Sequence, residues 1–206
     1  VSEERVRDEI LLCIREDDPW PVLRRLCEEG VFGILHPGLF PPECFRRPED
    51  PVRPAIEWIS EFMEPNELPV TDMVYMAMLL SRSDPSEARE FVQRFHFDRG
   101  IIRMVEALPI LDHARLTLAK TDVRPSEIAI AVESLPITLW IVLAADARVD
   151  SPTRNNLQKF LTELRHIQPE IDGNDLIELG YEPGPSFSDL FDKIRRARMD
   201  SEITSR

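Results

Sequence analysis

Three features of the 206-residue sequence predict an all-α protein. Prolines repeatedly follow a capping residue and precede an apolar run, as in DPWPVLRRL, DPSEAREFV and DSPTRNNLQKFL, and proline is favoured in the first turn of a helix. Apolar residues in these runs recur three and four positions apart, the spacing of one helix face. No segment alternates apolar and polar residues between hairpin dipeptides. We therefore expect a multi-helical, elongated array of roughly eight to eleven helices.

The first helix is predicted over SEERVRDEILLCIRE, with Ser2 as its cap. One apolar stripe consists of Val6, Ile10, Cys13 and Ile14. Arg5 and Glu9 lie one turn apart at the edge of this stripe, at the spacing of a helical ion pair.

The middle of the chain contains the clearest helix start. Asp84 can cap the helix, Pro85 occupies its first position, and Glu87 is placed to complete a capping box. The run Leu135–Ala145 is apolar almost throughout but shorter than the ~20 residues that span a bilayer. We expect it to be a buried helix, and we expect no membrane partner.

The segment His36–Pro54 contains six prolines, which exclude regular structure over most of its length. It is interpreted as a linker or an extended surface crossing. Trp58 and Trp140 are predicted to lie in the core, whereas Trp20, between two prolines, is the tryptophan that we expect at the surface.

The last part of the chain is predicted to form a helical hairpin. A short helix, DLIELG, ends at Gly180 as a left-handed cap, and PGPSF leads into a longer helix. The residues predicted to point inward are Phe187, Leu190, Phe191 and Ile194. On the other face, Asp189 with Lys193 and Asp192 with Arg196 have ion-pair spacing, so Arg195 and Arg198 should remain free.

Two interpretations of this hairpin remain open. In one, its basic residues simply complement the helix dipole at the C-terminal end. In the other, the exposed N-terminus of the longer helix, with nearby arginines, contacts a phosphate backbone.

Composition and motifs exclude several classes of function. The net charge of -13 argues against binding polyphosphate through bulk electrostatics, although the last 56 residues are nearly balanced. Three cysteines without CxxC spacing suggest a reducing compartment, so a cytoplasmic location is expected. No D-x-D pair, glycine-rich phosphate loop or metal-binding histidine spacing is present. The sequence therefore disfavours an independent hydrolase.

The C-terminal segment IDGNDLIELGYEPGPSFSDLFDKIRRARMDSEITSR resembles the tail of the bacterial tRNA nucleotidyltransferase and poly(A) polymerase family, with its G-x-DL-x-x-LG-x-x-PGP pattern. The opening, at Ser2, Glu4, Arg5, Val6, Glu9 and Ile10, is similar to the neck of the same family. FVQRFHFDRG resembles a body helix of the variant that carries CBS domains.

The resemblance implies a fold like the C-terminal region of poly(A) polymerase, with neck-like helices at 1–45, a helical body at 46–150 and a helical tail at 151–206. The catalytic head and nucleotide-selecting motif of the family are absent from this sequence, so this chain alone should not be catalytic and should need no cofactor. The parent protein would use Mg²⁺ and ATP or CTP. The helices would hold a tRNA, or another RNA, so that its 3′ end reaches a head in the same polypeptide.

The RNA contacts expected from the resemblance are Lys193, Arg195, Arg196, Arg198, the amides around Gly184, and Arg24 with Arg25. Arg5 and Glu9 would support the nucleotide pocket from below, unless they form only a structural pair. The alternative to RNA binding is a helical module for protein interaction or dimerisation, which the acidic composition favours.

Overall fold

The structure, a computed structural model, describes residues 2–37, 39, 47–182, 184 and 186–203. Within these residues, thirteen α-helices, one short 3₁₀ turn and no strand are found. The helices are α1 Glu3–Ile14, α2 Pro19–Glu28, α3 Val31–Leu35, α4 Val52–Ser60, α5 Thr71–Leu80, α6 Pro85–Arg94, α7 Arg99–Glu106, α8 Leu108–Leu118, α9 Pro125–Glu133, α10 Ile137–Asp146, α11 Pro152–Thr162, α12 Gly173–Glu178 and α13 Ser186–Met199. The all-α prediction is confirmed.

The helix starts follow the capping signals in the sequence. Ser2 and Ser151 accept hydrogen bonds from backbone amides in the first turns of α1 and α11. The number of helices exceeds the predicted range, and α7 and α8 follow each other directly. Pro109 lies in the first turn of α8, where its missing N–H is tolerated.

Two local predictions were wrong. Trp20 is only 2% exposed, and its indole N–H donates to the carbonyl of Arg47 at 3.2 Å. A distant segment therefore covers this ring, which the flanking prolines could not reveal. Asp84 caps α6 as predicted, but no capping box with Glu87 forms; the Glu87 carboxylate instead lies beside His36.

Two helices are hydrophobic on nearly all sides and form the centre of the fold. Residues 138–145 of α10 and residues 74–80 of α5 are all buried, and α10 packs against α4, α5 and α11. The prediction of a buried helix over the long apolar run is confirmed. In the described part of the chain, no single helix is long and apolar enough to cross a membrane; α9 and α10 reach that length only together, bent by 119°.

The C-terminal end of α10 is closed by arginines. The carbonyl of Ala144 accepts from Arg154 at 2.9 Å, and that of Ala145 accepts from Arg47 at 3.1 Å. Arg47 also reaches the carbonyl of Asp146 at 3.4 Å. These donors pair carbonyls that the helix itself leaves without partners, and their charge complements the negative end of the helix dipole.

The side chain of Asp146 joins this end of α10 to two other segments. Its carboxylate accepts hydrogen bonds from Arg82 and, at 3.0 Å, from Arg115. Asp146 and Arg115 are largely buried, with side chains 16% and 21% exposed. Arg115 also donates to the carbonyl of Ser81 at 3.0 Å, which ties α8 to the end of α5.

We predict that Asp146→Asn lowers the free energy of unfolding by about 1–3 kcal/mol, because two arginines lose their shared counter-charge. Asp112→Asn is the matched control, since Asp112 pairs with the same Arg115 at 2.9 Å but is 63% exposed. Its cost should be about 0.5 kcal/mol or less. Urea unfolding measures both values, and equal losses would contradict this account.

The cap of α6 should make stability depend on pH. Hydrogen bonds from the hydroxyl and then the amide of Ser86 lower the pKa of Asp84 below its ordinary value of 3.8. A depressed pKa in the folded state means that the stabilisation is present above pH 3.8 and is lost as the pH falls through the folded value. The difference in Tm between the wild type and Asp84→Ala should therefore shrink in acid.

Asp122 provides the control for this measurement, because it is exposed and makes no hydrogen bond among the residues described. Asp122→Ala should have nearly the same Tm as the wild type at each pH between 7 and 3. A constant difference between Asp84→Ala and the wild type across this range would show that the carboxylate does not supply the cap.

Candidate nucleic-acid interface

The C-terminal half of α13 is fixed to the body by arginines. Arg195 donates to the carbonyl of Ile167 at 2.7 Å and, with two guanidinium nitrogens, to the carboxylate of Glu133, one of them at 2.9 Å. Arg198 donates to the carbonyl of Gln168 at 2.7 Å and to Glu170 at 2.6 Å. The prediction that Arg195 and Arg198 remain free is therefore wrong.

The Arg195 pair is a strong form of contact. Two parallel hydrogen bonds between a guanidinium and a carboxylate combine charge with fixed geometry, and the bond to Glu133 raises the pKa of Arg195 against the opposing effect of burial. Helix spacing alone could not predict this arrangement, because Glu133 belongs to α9, far away in the sequence.

A third tether lies at the end of α13. The two oxygens of the Asp200 carboxylate accept from the amide and the hydroxyl of Ser126, at 2.8 and 2.6 Å. Ser126 lies in the first turn of α9, where backbone amides have no partner within the helix. Asp200, which directly follows α13, thus caps the first turn of α9, and the adjacent Met199 is buried.

Lys193 and Arg196 lie on the outer face of α13. Both are exposed, and within the described ranges neither has a carboxylate within 4.0 Å, so the predicted pairs with Asp189 and Asp192 are not formed. Arg196 also lines a groove of about 220 Å³ between α9 and α13. On α13, these two cations, which were expected to be neutralised locally, are therefore available to an anion.

Helix α12 and the N-terminal half of α13 are loosely packed. Phe187, Leu190, Phe191 and Ile194 are each only half-buried, so their predicted inward orientation is partial. On α12 and just after it, Ile177, Leu179 and Tyr181 are 49%, 70% and 52% exposed. An exposed aromatic ring such as that of Tyr181 can stack on an unpaired base.

Gly184 lies at the start of this tail helix and is exposed. A Cβ at this position would meet no atom within 4 Å, so the space around its backbone is open. The neighbouring residues 183 and 185, which are part of the predicted turn, lie outside the described residues.

The other residues predicted to bind RNA or to support the nucleotide pocket lie on α1 and α2, and each of their side chains forms an ion pair with a residue four positions away. Arg24 pairs with Glu28 at 3.0 Å, and its Nε is buried without a hydrogen-bond partner in the described part of the chain. Arg25 pairs with Glu29 at 2.9 Å and is 78% exposed. The third pair, Arg5 with Glu9, is 4.0 Å apart and exposed.

A polar cleft of about 410 Å³, which the sequence did not predict, lies between α1, α4 and α5. Arg15 pairs there with Asp72 at 2.8 Å. The hydroxyl of Tyr75 donates to Asp50, and burial followed by this bond raises the pKa of Tyr75. Its cations are paired within the protein, which makes it a weaker anion site than the outer face of α13.

Comparison with known proteins gives a match of the first 41 residues to one family model, one curated relative and several solved structures. The family described as "Probable RNA and SrmB- binding site of polymerase A" matches residues 1–41. The A-adding tRNA nucleotidyltransferase of Geobacter sulfurreducens is 27% identical over 209 aligned residues, which cover 98% of this chain and 23% of that protein. The chain thus spans about a quarter of the length of this curated relative.

Solved structures show the same fold. A Thermotoga maritima CCA-adding enzyme complexed with tRNA aligns with a TM-score of 0.75 at 18% identity, over 100% of this chain and 49% of that chain. A CCA-adding enzyme in complex with ATP aligns with the same score, identity and coverage. The CBS-domain variant stays a prediction. Fold and sequence together confirm the resemblance: the chain is similar in sequence to an A-adding tRNA nucleotidyltransferase and similar in fold to part of the CCA-adding enzymes.

Proposed function

We propose that this chain is a non-catalytic RNA-binding region that positions the 3′ end of a tRNA, or of another RNA, for nucleotide addition by a catalytic head. The match of residues 1–41 to a probable RNA-binding site supports RNA binding. The relation to an A-adding tRNA nucleotidyltransferase over nearly the whole chain supports tRNA as the substrate.

The observation that carries the proposal is that some charged residues of α13 and its C-terminal end bind to the body, whereas others are exposed. Arg195, Arg198 and Asp200 fix the helix to α9 and to the segment before α12. Lys193 and Arg196 are left exposed and unpaired among the described residues. Cations on a helix that is fixed to the body can contact phosphates only at defined positions. Such contacts are how proteins recognise the shape of folded RNA.

The remaining parts of the proposal concern the longer protein. Its head domain would be in the same polypeptide and would use Mg²⁺ with ATP or CTP, and the protein would act in the cytoplasm. Arg5 and Glu9 would support the nucleotide pocket from below. Arg24, Arg25 and the amides around Gly184 would add further RNA contacts.

We predict that Lys193→Ala combined with Arg196→Ala weakens tRNA binding at least ten-fold at low salt, because two phosphate contacts are lost. Each lost contact should reduce the slope of log affinity against log salt concentration by about 0.7–0.9. Filter binding at several salt concentrations measures both quantities, and Tm should change little, since neither side chain makes an ion pair or a side-chain hydrogen bond among the described residues.

Arg99→Ala combined with Arg103→Ala is the charge-matched control. These arginines are exposed, lie one turn apart on α7 and have no ion-pair partner in the described residues. Their removal should change tRNA affinity by less than about two-fold, the effect of net charge alone. Equal losses in both double variants would show that affinity follows net charge and would reject α13 as the contact.

The tethers should affect binding through structure. Glu133→Gln removes the counter-charge of Arg195, so amide hydrogen exchange in α13 should become faster. The affinity for tRNA should fall while the salt slope stays near that of the wild type, since Lys193 and Arg196 are intact. A reduced slope in Glu133→Gln would instead mean that phosphate contacts are lost with the tether.

A second candidate, a module for protein interaction or homodimerisation, is favoured by the exposed apolar side chains Ile177, Leu179 and Tyr181. Light scattering of the free chain separates the two functions. A monomer that binds tRNA in preference to heparin supports the RNA-binding region. A stable dimer that binds both polyanions equally supports the interaction module.

A further inference from the structure

His36, Glu87 and Glu90 bring three possible metal ligands together at a point that the RNA-binding proposal does not use. His36 follows α3, and the two glutamates lie one turn apart on α6. One ligand atom from each residue lies within 4.8 Å of the other two. We infer that this cluster is a structural site for a divalent transition metal, with Zn²⁺ as its best-fitting ion.

The orientation of the imidazole supports this inference. Nδ1 of His36 lies 3.1 Å from the carbonyl oxygen of Pro37, and a carbonyl can only accept, so Nδ1 carries the hydrogen. In the neutral ring, Nε2 then carries the free lone pair. A histidine whose Nδ1–H is held by a carbonyl and whose Nε2 is free is arranged as metal-binding histidines are.

The free nitrogen faces a carboxylate at a distance that suits a bridging ion. Nε2 of His36 lies 3.7 Å from the Glu90 carboxylate, which is too long for a hydrogen bond. Zinc bonds of about 2.0–2.2 Å to nitrogen and oxygen place two tetrahedral ligands about 3.4 Å apart. Only a small movement of Glu90 is needed, and its side chain is 73% exposed and can adjust.

The Glu87 carboxylate lies beside His36 and does not make the capping-box hydrogen bond of α6. Glu87 is in the position from which it could complete the capping box of α6, yet its carboxylate lies 3.1 Å from Nδ1 of His36, where it can accept the hydrogen of this nitrogen. A carboxylate at this place orients the ring and leaves Nε2 for the ion. Within the described residues, no lysine or arginine lies within 4.0 Å of Glu87 or Glu90. Two like charges one turn apart repel each other, and a dication between them would remove this cost.

The ligand set selects the kind of metal. An imidazole nitrogen with the Glu90 carboxylate beside it suits zinc and similar transition ions, whereas Mg²⁺ prefers oxygen ligands and retains its waters. The bound ion would join the end of α3 to α6. Arg94 of α6 already donates to the carbonyl of Leu35 at 3.3 Å, so the metal would strengthen an existing contact between these segments.

The test is a calorimetric titration of the metal-free 206-residue chain with ZnCl₂ at pH 7.5. We expect one Zn²⁺ per chain, and a loss of affinity of about ten-fold or more in Glu90→Gln. Because Glu90 is exposed, this variant should fold normally. Zinc should raise Tm of the wild type and should raise that of Glu90→Gln much less.

His96→Gln is the matched control. His96 also lies near two carboxylates, with Nε2 at 3.9 Å from Glu3 and 3.8 Å from Glu4, but its side chain is 58% exposed. Its replacement should leave the Zn²⁺ affinity unchanged. Loss of binding in His96→Gln, equal affinities of Glu90→Gln and the wild type, or no binding by the wild type would each overturn the inference. It would also be overturned if Glu90→Gln lowered Tm equally with and without zinc, which would identify a simple ion pair.

Discussion

The buried helix α10 depends on partners for the carbonyl groups at its C-terminal end. All four of them are paired: Leu143 accepts from the amide of Ala147, and the other three accept from Arg154 and Arg47. An unpaired carbonyl in this interior would cost as much as a lost hydrogen bond. Because α4, α5 and α11 pack around α10, the arrangement of the body depends on these guanidinium groups.

This constraint gives the arginine content a structural meaning. The chain has 22 arginines and only three lysines. A guanidinium is planar and carries several donors, so one side chain can satisfy several carbonyls or a carbonyl and a carboxylate together. Arg47, Arg115 and Arg195 each do this. Part of the basic character is therefore committed to the fold and is not free to bind a ligand.

The sequence predicted what depends on neighbours along the chain. Caps such as Ser2 and Asp84, and the apolar run of α10, act within one or two helical turns, so local chemistry was sufficient. On α13, Arg195 and Arg198 were predicted to be free but are paired, because their partners come from other segments. Lys193 and Arg196 were predicted to be paired but are not, among the residues described. The same limit applied to Trp20 and to Glu87, whose surroundings are also formed by distant residues.

The bond between Asp200 and Ser126 also bears on how the protein is made. Helix α9 begins near residue 125, but the carboxylate that caps its first turn is synthesised 74 positions later. On a ribosome, the earlier helices can emerge and pack while this turn still exposes its amides to water. A nascent chain that stops before Asp200 therefore lacks this cap and leaves the amide of Ser126 to water.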